Sequence, residues 1–311
     1  MHEKMLCLWN PDGRPVPSWV GCLFLGLAAL SIGVGAEVGN FSSCSEYFYR
    51  GIPPKGVGVR ESPQICQRYR NTYHFASLYN RQWRTPLYSA YVFTAGGKKR
   101  PSTHWKYEPQ LASSRGSPEM ACFHSGPVDQ NVLESQAVLQ DYKNSSYTKG
   151  HLSPNSHHLQ DLDKRATFTL TNIVPQKAGS NSGPWADLEN KVAAALTAYC
   201  TGKAYIVTGV LPYTTARWIK NRVAVPEYLW SAYCCSSFSA ELPEKLRSTF
   251  PTFAAIGRND PLSDEEIVPV NPNAPLTTRG YDVRRMPLTN LEMYLKQRLG
   301  GNISLFLNHC R

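Results

Sequence analysis

The chain has 311 residues and a formal net charge of +10, from 33 Lys and Arg against 23 Asp and Glu. It contains no internal repeat, charge-run tail or long low-complexity tract, which excludes a repeat array and leaves length for one large domain with a real core. The positive excess suits a polyanionic partner such as nucleic acid, but charge speaks to association and not to fold.

Residues 1–36 read as a secretory signal: Lys4 and Arg14 precede an apolar run, Gly21 to Ala36, that ends in Val34-Gly35-Ala36 before the polar Glu37. That run is shorter than the roughly 20 residues needed to cross a bilayer, and it carries Gly26, Gly33 and Gly35. The competing reading is an uncleaved signal anchor. No later segment is apolar enough to span a membrane, so the expectation is a secreted chain with no membrane span after cleavage. Cleavage leaves Cys44, Cys66, Cys122, Cys200, Cys234, Cys235 and Cys310. In an oxidising compartment these suggest up to three disulfides and one odd thiol. Cys44 with Cys66 is the local pairing, and one of Cys234 or Cys235 is expected to pair, since neighbours on a strand face opposite ways. No cysteine pair has the two-residue spacing of a zinc site. Sequons at Asn40, Asn144 and Asn302 agree with a secretory route.

In chain order, residues 37–64 form a Cys/Pro/Gly-rich opening segment, and 65–311 a single domain. Tyr73–Tyr79 and Leu87–Phe93 are dense in aromatics and read as two adjacent strands. Thr94 to Glu108 is basic and turn-like, with Lys98-Lys99-Arg100 in its middle. Glu134 to Arg165 is polar and without a period, which suits loops around an active site and makes His157 and His158 solvated loop residues. Thr167–Val174 alternates with β-branched residues and reads as a strand. Pro184 opens a helix to about Cys200, with Asn181 or Ser182 just outside it. Ala204–Leu211 is a buried strand, and Arg222–Trp230 another, with Pro226 marking an edge or a bulge. A last helix, Thr289–Leu299, carries Leu291, Tyr294, Leu295 and Leu299 on one face. This mixture argues an α+β domain.

The chemistry concentrates in Lys149-Gly150-His151, then Asn181, Trp185 and Glu189. Phosphodiester hydrolysis needs a water to lose a proton, which suits histidine near its pKa. It also needs charge neutralised on the phosphate and the leaving oxygen, which suits a divalent cation. Magnesium keeps most of its waters, so one amide oxygen plus the substrate can hold it. Asn181 and Glu189 would lie about 12 Å apart along a continuous helix at ~1.5 Å per residue. Asn181 therefore reads as the direct ligand, and Glu189 as reaching a metal-bound water. Trp185, four residues before Glu189, would pack beneath it.

The stretch Lys149–Pro154, Ala166–Gln176 and Asn181–Glu189 resembles the DNA/RNA non-specific endonuclease family. The resemblance covers roughly residues 65 to 240. It implies a ββα-metal (His-Me) nuclease fold, a mainly antiparallel central sheet flanked by helices and, here, stabilised by disulfides. It also implies that His151 is the general base, Asn181 the magnesium (or manganese) ligand and Glu189 an outer carboxylate, with cleavage leaving a 5′-phosphate on DNA or RNA. Two departures stand out. The family's Asp-Arg before Gly-His is Thr148-Lys149 here. Its upstream arginine is replaced by His104-Trp105-Lys106-Tyr107-Glu108-Pro109, leaving Arg100 as a displaced candidate for phosphate contact beside Lys149. Losing one preorganised charge contact costs about 10²–10³ in rate. A non-catalytic secreted nucleic-acid-binding relative is thus the rival reading, and a purely structural extracellular module a third.

Overall fold

The computed structural model describes residues 37–59, 61–96 and 99–310. The expected signal segment 1–36 and Lys98 lie outside the described residues. Strands β1 (Val38–Gly39), β2 (Gln64–Tyr69), β3 (Thr72–Asn80) and β4 (Thr85–Val92) come first. Two small pairs follow: β5 (Lys106–Tyr107) with β6 (Ala121–Cys122), and β7 (Thr148–His151) with β8 (Ile173–Gln176). Then come β9 (Ala204–Ile219), β10 (Val223–Cys235), β11 (Thr252–Arg258) and β12 (Val283–Met286). Eight strands make one antiparallel sheet in the order β1-β2-β3-β4-β9-β10-β11-β12. Two helices are long enough to count in the core: α1 (Pro184–Tyr199) and α2 (Leu288–Leu299). The α+β reading, with a mainly antiparallel sheet flanked by helices, is what the chain adopts. No helix among the described residues is long and apolar enough to cross a membrane.

The alternation of β10 shows why the sheet is covered on both faces. Trp230, Ala232 and Cys234 point into one apolar layer, shared with Leu291 and Leu295 of α2. Leu229, Tyr233 and Cys235 point into the other, shared with Trp185, Leu188, Val192 and Leu196 of α1. A strand buried on both faces reads as a continuous apolar run, as this one does. Each side chain of this size, fully buried, contributes about 1.5–3 kcal/mol. Cys234 and Cys235 both form disulfides, to Cys310 and Cys200 respectively. The sequence argument that only one would pair was too narrow: opposite faces simply find different partners. Cys44 pairs with Cys66 as expected.

Several local readings hold and several do not. β3 and β4 are adjacent and antiparallel. The register of β10 shifts around Pro226, which faces Pro212 across the ladder, so Pro226 marks a bulge as expected. β9 runs past Pro212 to Ile219, well beyond Leu211, because the two prolines sit opposite each other and share one irregularity. Thr167–Val174 is not one strand. Leu170–Asn172 is a turn of 3-10 helix, and only Ile173 onward joins a ladder. The polar span 134–165 is also more ordered than a loop, since it contains β7 and the short helices Leu139–Tyr142 and Asp161–Ala166.

Candidate nuclease site

β7 and β8 form a short antiparallel ladder in which Thr148 faces Gln176 and His151 faces Ile173. Gly150 is required there: a Cβ would sit 2.2 Å from Gln176 Oε1. The pair is tied to the rest of the fold by two asparagines. Asn172 Oδ1 accepts from Ser89 Oγ and from the Ser153 N–H, each at 2.9 Å. Asn172 Nδ2 donates to the carbonyls of Ser153 and Thr167, each at 3.0 Å. Asn259 Nδ2 donates to the carbonyls of Pro175 (3.0 Å) and Pro226 (2.8 Å), and its Oδ1 accepts from the Lys177 N–H at 3.0 Å. Asn172 thus fixes the chain leaving His151. Asn259 fixes the connection from β8 toward Asn181.

Lys149 and His151 share one side of β7, two residues apart. Both meet Trp105: its ring centroid lies 5.5 Å from that of His151, and the Lys149 ammonium lies 5.4 Å from it. The His151 ring also meets Phe168 edge-on at 5.2 Å, and Arg100 lies over the Phe168 ring at 4.8 Å. Arg100, Lys149 and His151 are therefore gathered around two aromatic rings. Nε2 of His151 is buried without a hydrogen-bond partner among the described residues. Burial, then the charge of Arg100, then His158 and Lys149, push the His151 pKa down to about 3. Burial, then Arg100, also lower that of Lys149.

Asn181 ends the short helix Ala178–Asn181 and is not a cap for α1, whose N-cap is Gly183. Its Nδ2 donates to Thr148 Oγ1 at 2.9 Å, and that hydroxyl donates onward to the Gln176 carbonyl at 2.7 Å. Because the Thr148 proton is spent on Gln176, its oxygen can only accept from Asn181. The carboxamide is thereby held with Oδ1 uncommitted. Thr148 lies on the side of β7 opposite His151, about 10 Å along it at ~3.3 Å per residue. No described contact joins Asn181 to His151 directly. One amide oxygen, that of Asn181, would suffice to hold a magnesium ion that keeps most of its waters. The donor set does not amount to a closed cage, as no group of three His, Cys, Asp or Glu among the described residues is placed to hold a metal.

Glu189 lies elsewhere. The chain breaks helical geometry at Gly183 (φ −120°, ψ −128°), so Asn181 and Glu189 are not on one continuous helix. Glu189 lines a small pocket with Trp185, Tyr91, Pro154, His157, Thr208 and Ser231, where burial pushes its carboxyl up to about 8. Trp185 shares that pocket, as its spacing implied. His157 and His158 are buried, which overturns the solvated reading. His157 bridges Tyr91 Oη (2.9 Å) and the Glu189 carbonyl (3.0 Å), and His158 bonds Ser153 Oγ at 2.8 Å. A groove of about 550 Å³ runs along α1 past Lys191, Tyr199 and Arg285 and includes none of the site residues. Trp105, Phe168 and Asn259 were not foreseen. Only Trp105 had a signal, its place in the segment that replaces the family arginine.

The profile of the family described as DNA/RNA non-specific endonuclease matches residues 59–271. The chain is 36% identical over 223 residues to human endonuclease domain-containing 1 protein, covering 70% of this chain and 44% of that one. It is 32% identical over 201 residues to the mouse protein of that name, covering 63% and 39%. The chain thus spans less than half the length of these relatives. It is 28% identical over 172 residues to fission yeast mitochondrial nuclease 1, covering 54% and 45%. A solved structure of an EndoG/EndoGI complex aligns with a TM-score of 0.47 at 17% identity, covering 83% of this chain and 88% of that one. With the profile matching more than half of its length, this chain belongs to the DNA/RNA non-specific endonuclease family.

Proposed function

We propose that the chain is a secreted, metal-dependent endonuclease that hydrolyses phosphodiester bonds of DNA or RNA with little base preference. The observation that carries this reading is the Asn181 carboxamide, locked through Thr148 onto the strand that bears Lys149 and His151. Asn181 Oδ1 would hold a magnesium or manganese ion, which would supply positive charge for the phosphate and the leaving oxygen. Lys149 and Arg100 draw the backbone phosphate to the face of Trp105 and Phe168. His151 takes a proton from the attacking water, the new P–O bond forms, and the bond to the 3′ oxygen breaks; that oxygen takes up a proton from solvent water, leaving a 5′-phosphate and a 3′-hydroxyl. A pKa near 3 makes His151 a weak base in the free protein. Substrate phosphate offsets the two cations that contribute to that depression and raises its basicity. Contacts directed at phosphates and not base edges account for low base preference.

A catalytically weak nucleic-acid-binding relative is the second reading. It is favoured by the uncharged Thr148 and by the depressed imidazole. A plasmid-nicking assay separates the two: nicking with magnesium, lost with chelator and in His151→Ala, supports the enzyme. Inactivity with retained, salt-sensitive DNA binding supports the relative. Secretion predicts glycans, and Asn40, Asn144 and Asn302 are all exposed. Recovery of an endoglycosidase-sensitive protein from culture medium tests that part.

A further inference from the structure

Three residues before Glu108, Trp105 packs on His151; Glu108 itself is fully buried. Its Oε1 accepts from the hydroxyls of Thr169 and Thr171, each at 2.8 Å. The Thr171 hydroxyl, its proton given to Glu108, accepts from Gln67 Nε2 at 3.0 Å. That fixes which end of the Gln67 carboxamide is the donor and leaves Oε1 without a partner. Glu37 brings a second carboxyl within hydrogen-bonding reach of Glu108, and its own Oε1 accepts from the Arg68 N–H at 3.2 Å. Glu37, Gln67 and Glu108 are all wholly shielded from solvent. Among the described residues, Glu37 Oε2, Gln67 Oε1 and Glu108 Oε2 are buried with no hydrogen-bond partner.

None of the three can turn away to water. The Glu37 carbonyl accepts from the Cys66 N–H at 2.7 Å. The Glu108 backbone is clamped from both sides by the Gln136 side chain, at 2.8 and 2.9 Å. Nearby cations are committed elsewhere. Lys106 Nζ donates to the Arg165 and His104 carbonyls and to Thr103, and lies over the Tyr69 ring, while Arg68 pairs with Glu119. Two carboxyls in contact away from water require a proton or a cation between them. A shared proton serves both glutamates but leaves Gln67 Oε1 orphaned. A cation between the carboxyls would also offer Gln67 Oε1, linked to Glu108 through Thr171, a partner. Two carboxylates and an amide form a hard, all-oxygen donor set, and calcium tolerates irregular oxygen geometry where magnesium demands an octahedron.

We propose that Glu37, Gln67 and Glu108 form a buried structural calcium site, distinct from the nuclease centre, that staples residue 37 and β2 to the segment carrying Trp105. The test uses the full chain bearing Asn181→Ala, so that an ion at the nuclease centre cannot contribute. After chelation, thermal melts are followed at neutral pH as calcium is added. The expected result is a rise in Tm of about 5 °C or more at saturation, lost in Glu108→Gln and weakened in Gln67→Met. The second variant leaves the carboxyl pair intact, so it reports on the ion even if the first fails to fold. Terbium luminescence that calcium competes away gives an independent readout. No calcium shift overturns the site, and a fall in Tm with rising pH that Glu108→Gln removes then assigns a shared proton to the pair. A shift that survives Glu108→Gln places the ion elsewhere and also overturns it. Loss of nicking in the wild type with the calcium shift retained would defeat the nuclease reading alone.

Discussion

Replacing Thr148 by Val isolates the role of the hydroxyl that stands where the family has an aspartate. The change keeps the shape of the side chain. It removes the acceptor that Asn181 Nδ2 uses at 2.9 Å and the donor that Gln176 O uses at 2.7 Å. One such neutral hydrogen bond has a net value of about 0.5–1.5 kcal/mol. If that energy now selects the amide orientation presenting Oδ1, losing it lowers the ratio of competent to flipped orientations by roughly 2- to 12-fold, since 1.4 kcal/mol is a factor of ten. The expected result in nicking assays is a raised magnesium requirement and activity lower by at most about that factor, with DNA affinity unchanged at high salt. Thr148→Ser restores both hydrogen bonds and most of the rate. In an Asn181→Ala background the valine change has no further effect, because the group it orients is gone. A normal magnesium titration for Thr148→Val, or additivity with Asn181→Ala, would refute the positioning role.

His151→Ala lowers nicking by about 10²–10⁴, the range for loss of a positioned base, while salt-sensitive binding of DNA persists; an active alanine variant assigns the base elsewhere. Thr148→Asp keeps an acceptor for Asn181 and adds the missing charge, so turnover rises; an unchanged rate removes Thr148 as the cause of slow catalysis. Gly150→Ala forces a Cβ against Gln176 Oε1 at 2.2 Å and lowers Tm in a melt, and a variant as stable as wild type contradicts the close β7–β8 approach. Stability against pH in metal-free buffer has two limbs. His151, His157 and His158, at about 3, about 4 and about 3 against an ordinary 6.5, stay neutral in the folded chain, so stability is full above pH 6.5 and falls as pH drops toward 4. Glu189, raised from 4.5 to about 8, acts in the opposite sense: its contribution is full below pH 4.5 and is lost as pH rises to 8. Glu189→Gln flattens the second limb only, and an unaltered limb in urea titrations contradicts burial of that carboxyl.

The elements legible in the sequence were those whose partners are local or periodic. The apolar run Ala204–Leu211 announced a buried strand, Pro184 announced the start of α1, and Pro226 announced an edge or a bulge, which proves to be the bulge that Pro212 completes from the facing strand. What failed depended on partners far along the chain. Thr167–Val174 has the β-branched alternation of a strand, yet Thr169 and Thr171 spend their hydroxyls on Glu108, 61 and 63 residues away, and the backbone follows those bonds into a 3-10 turn. His157 and His158 look solvated in a polar loop until β4 brings Tyr91 to one and α1 brings the Glu189 carbonyl over it.

The candidate site divides along the same line. Lys149 and His151 read in the sequence as chemistry in a loop; they share the Trp105 face because they alternate on β7, which the sequence did not announce. That Arg100 would reach the same cluster through Phe168 could not be read from its spacing, because the connection is a ring contact across separate segments. The structure changes the problem the sequence posed. The missing aspartate is not an empty position, since Thr148 keeps the acceptor that holds Asn181. What it cannot supply is negative charge. Burial, then the cations near His151, leave the imidazole poorly basic, and no carboxylate among the described residues bonds its Nε2; a substrate phosphate would offset the cationic part of that depression. Activity then depends on how well Lys149 and Arg100 seat that phosphate. Charge-neutral substitution at either should therefore lower kcat as well as raise KM.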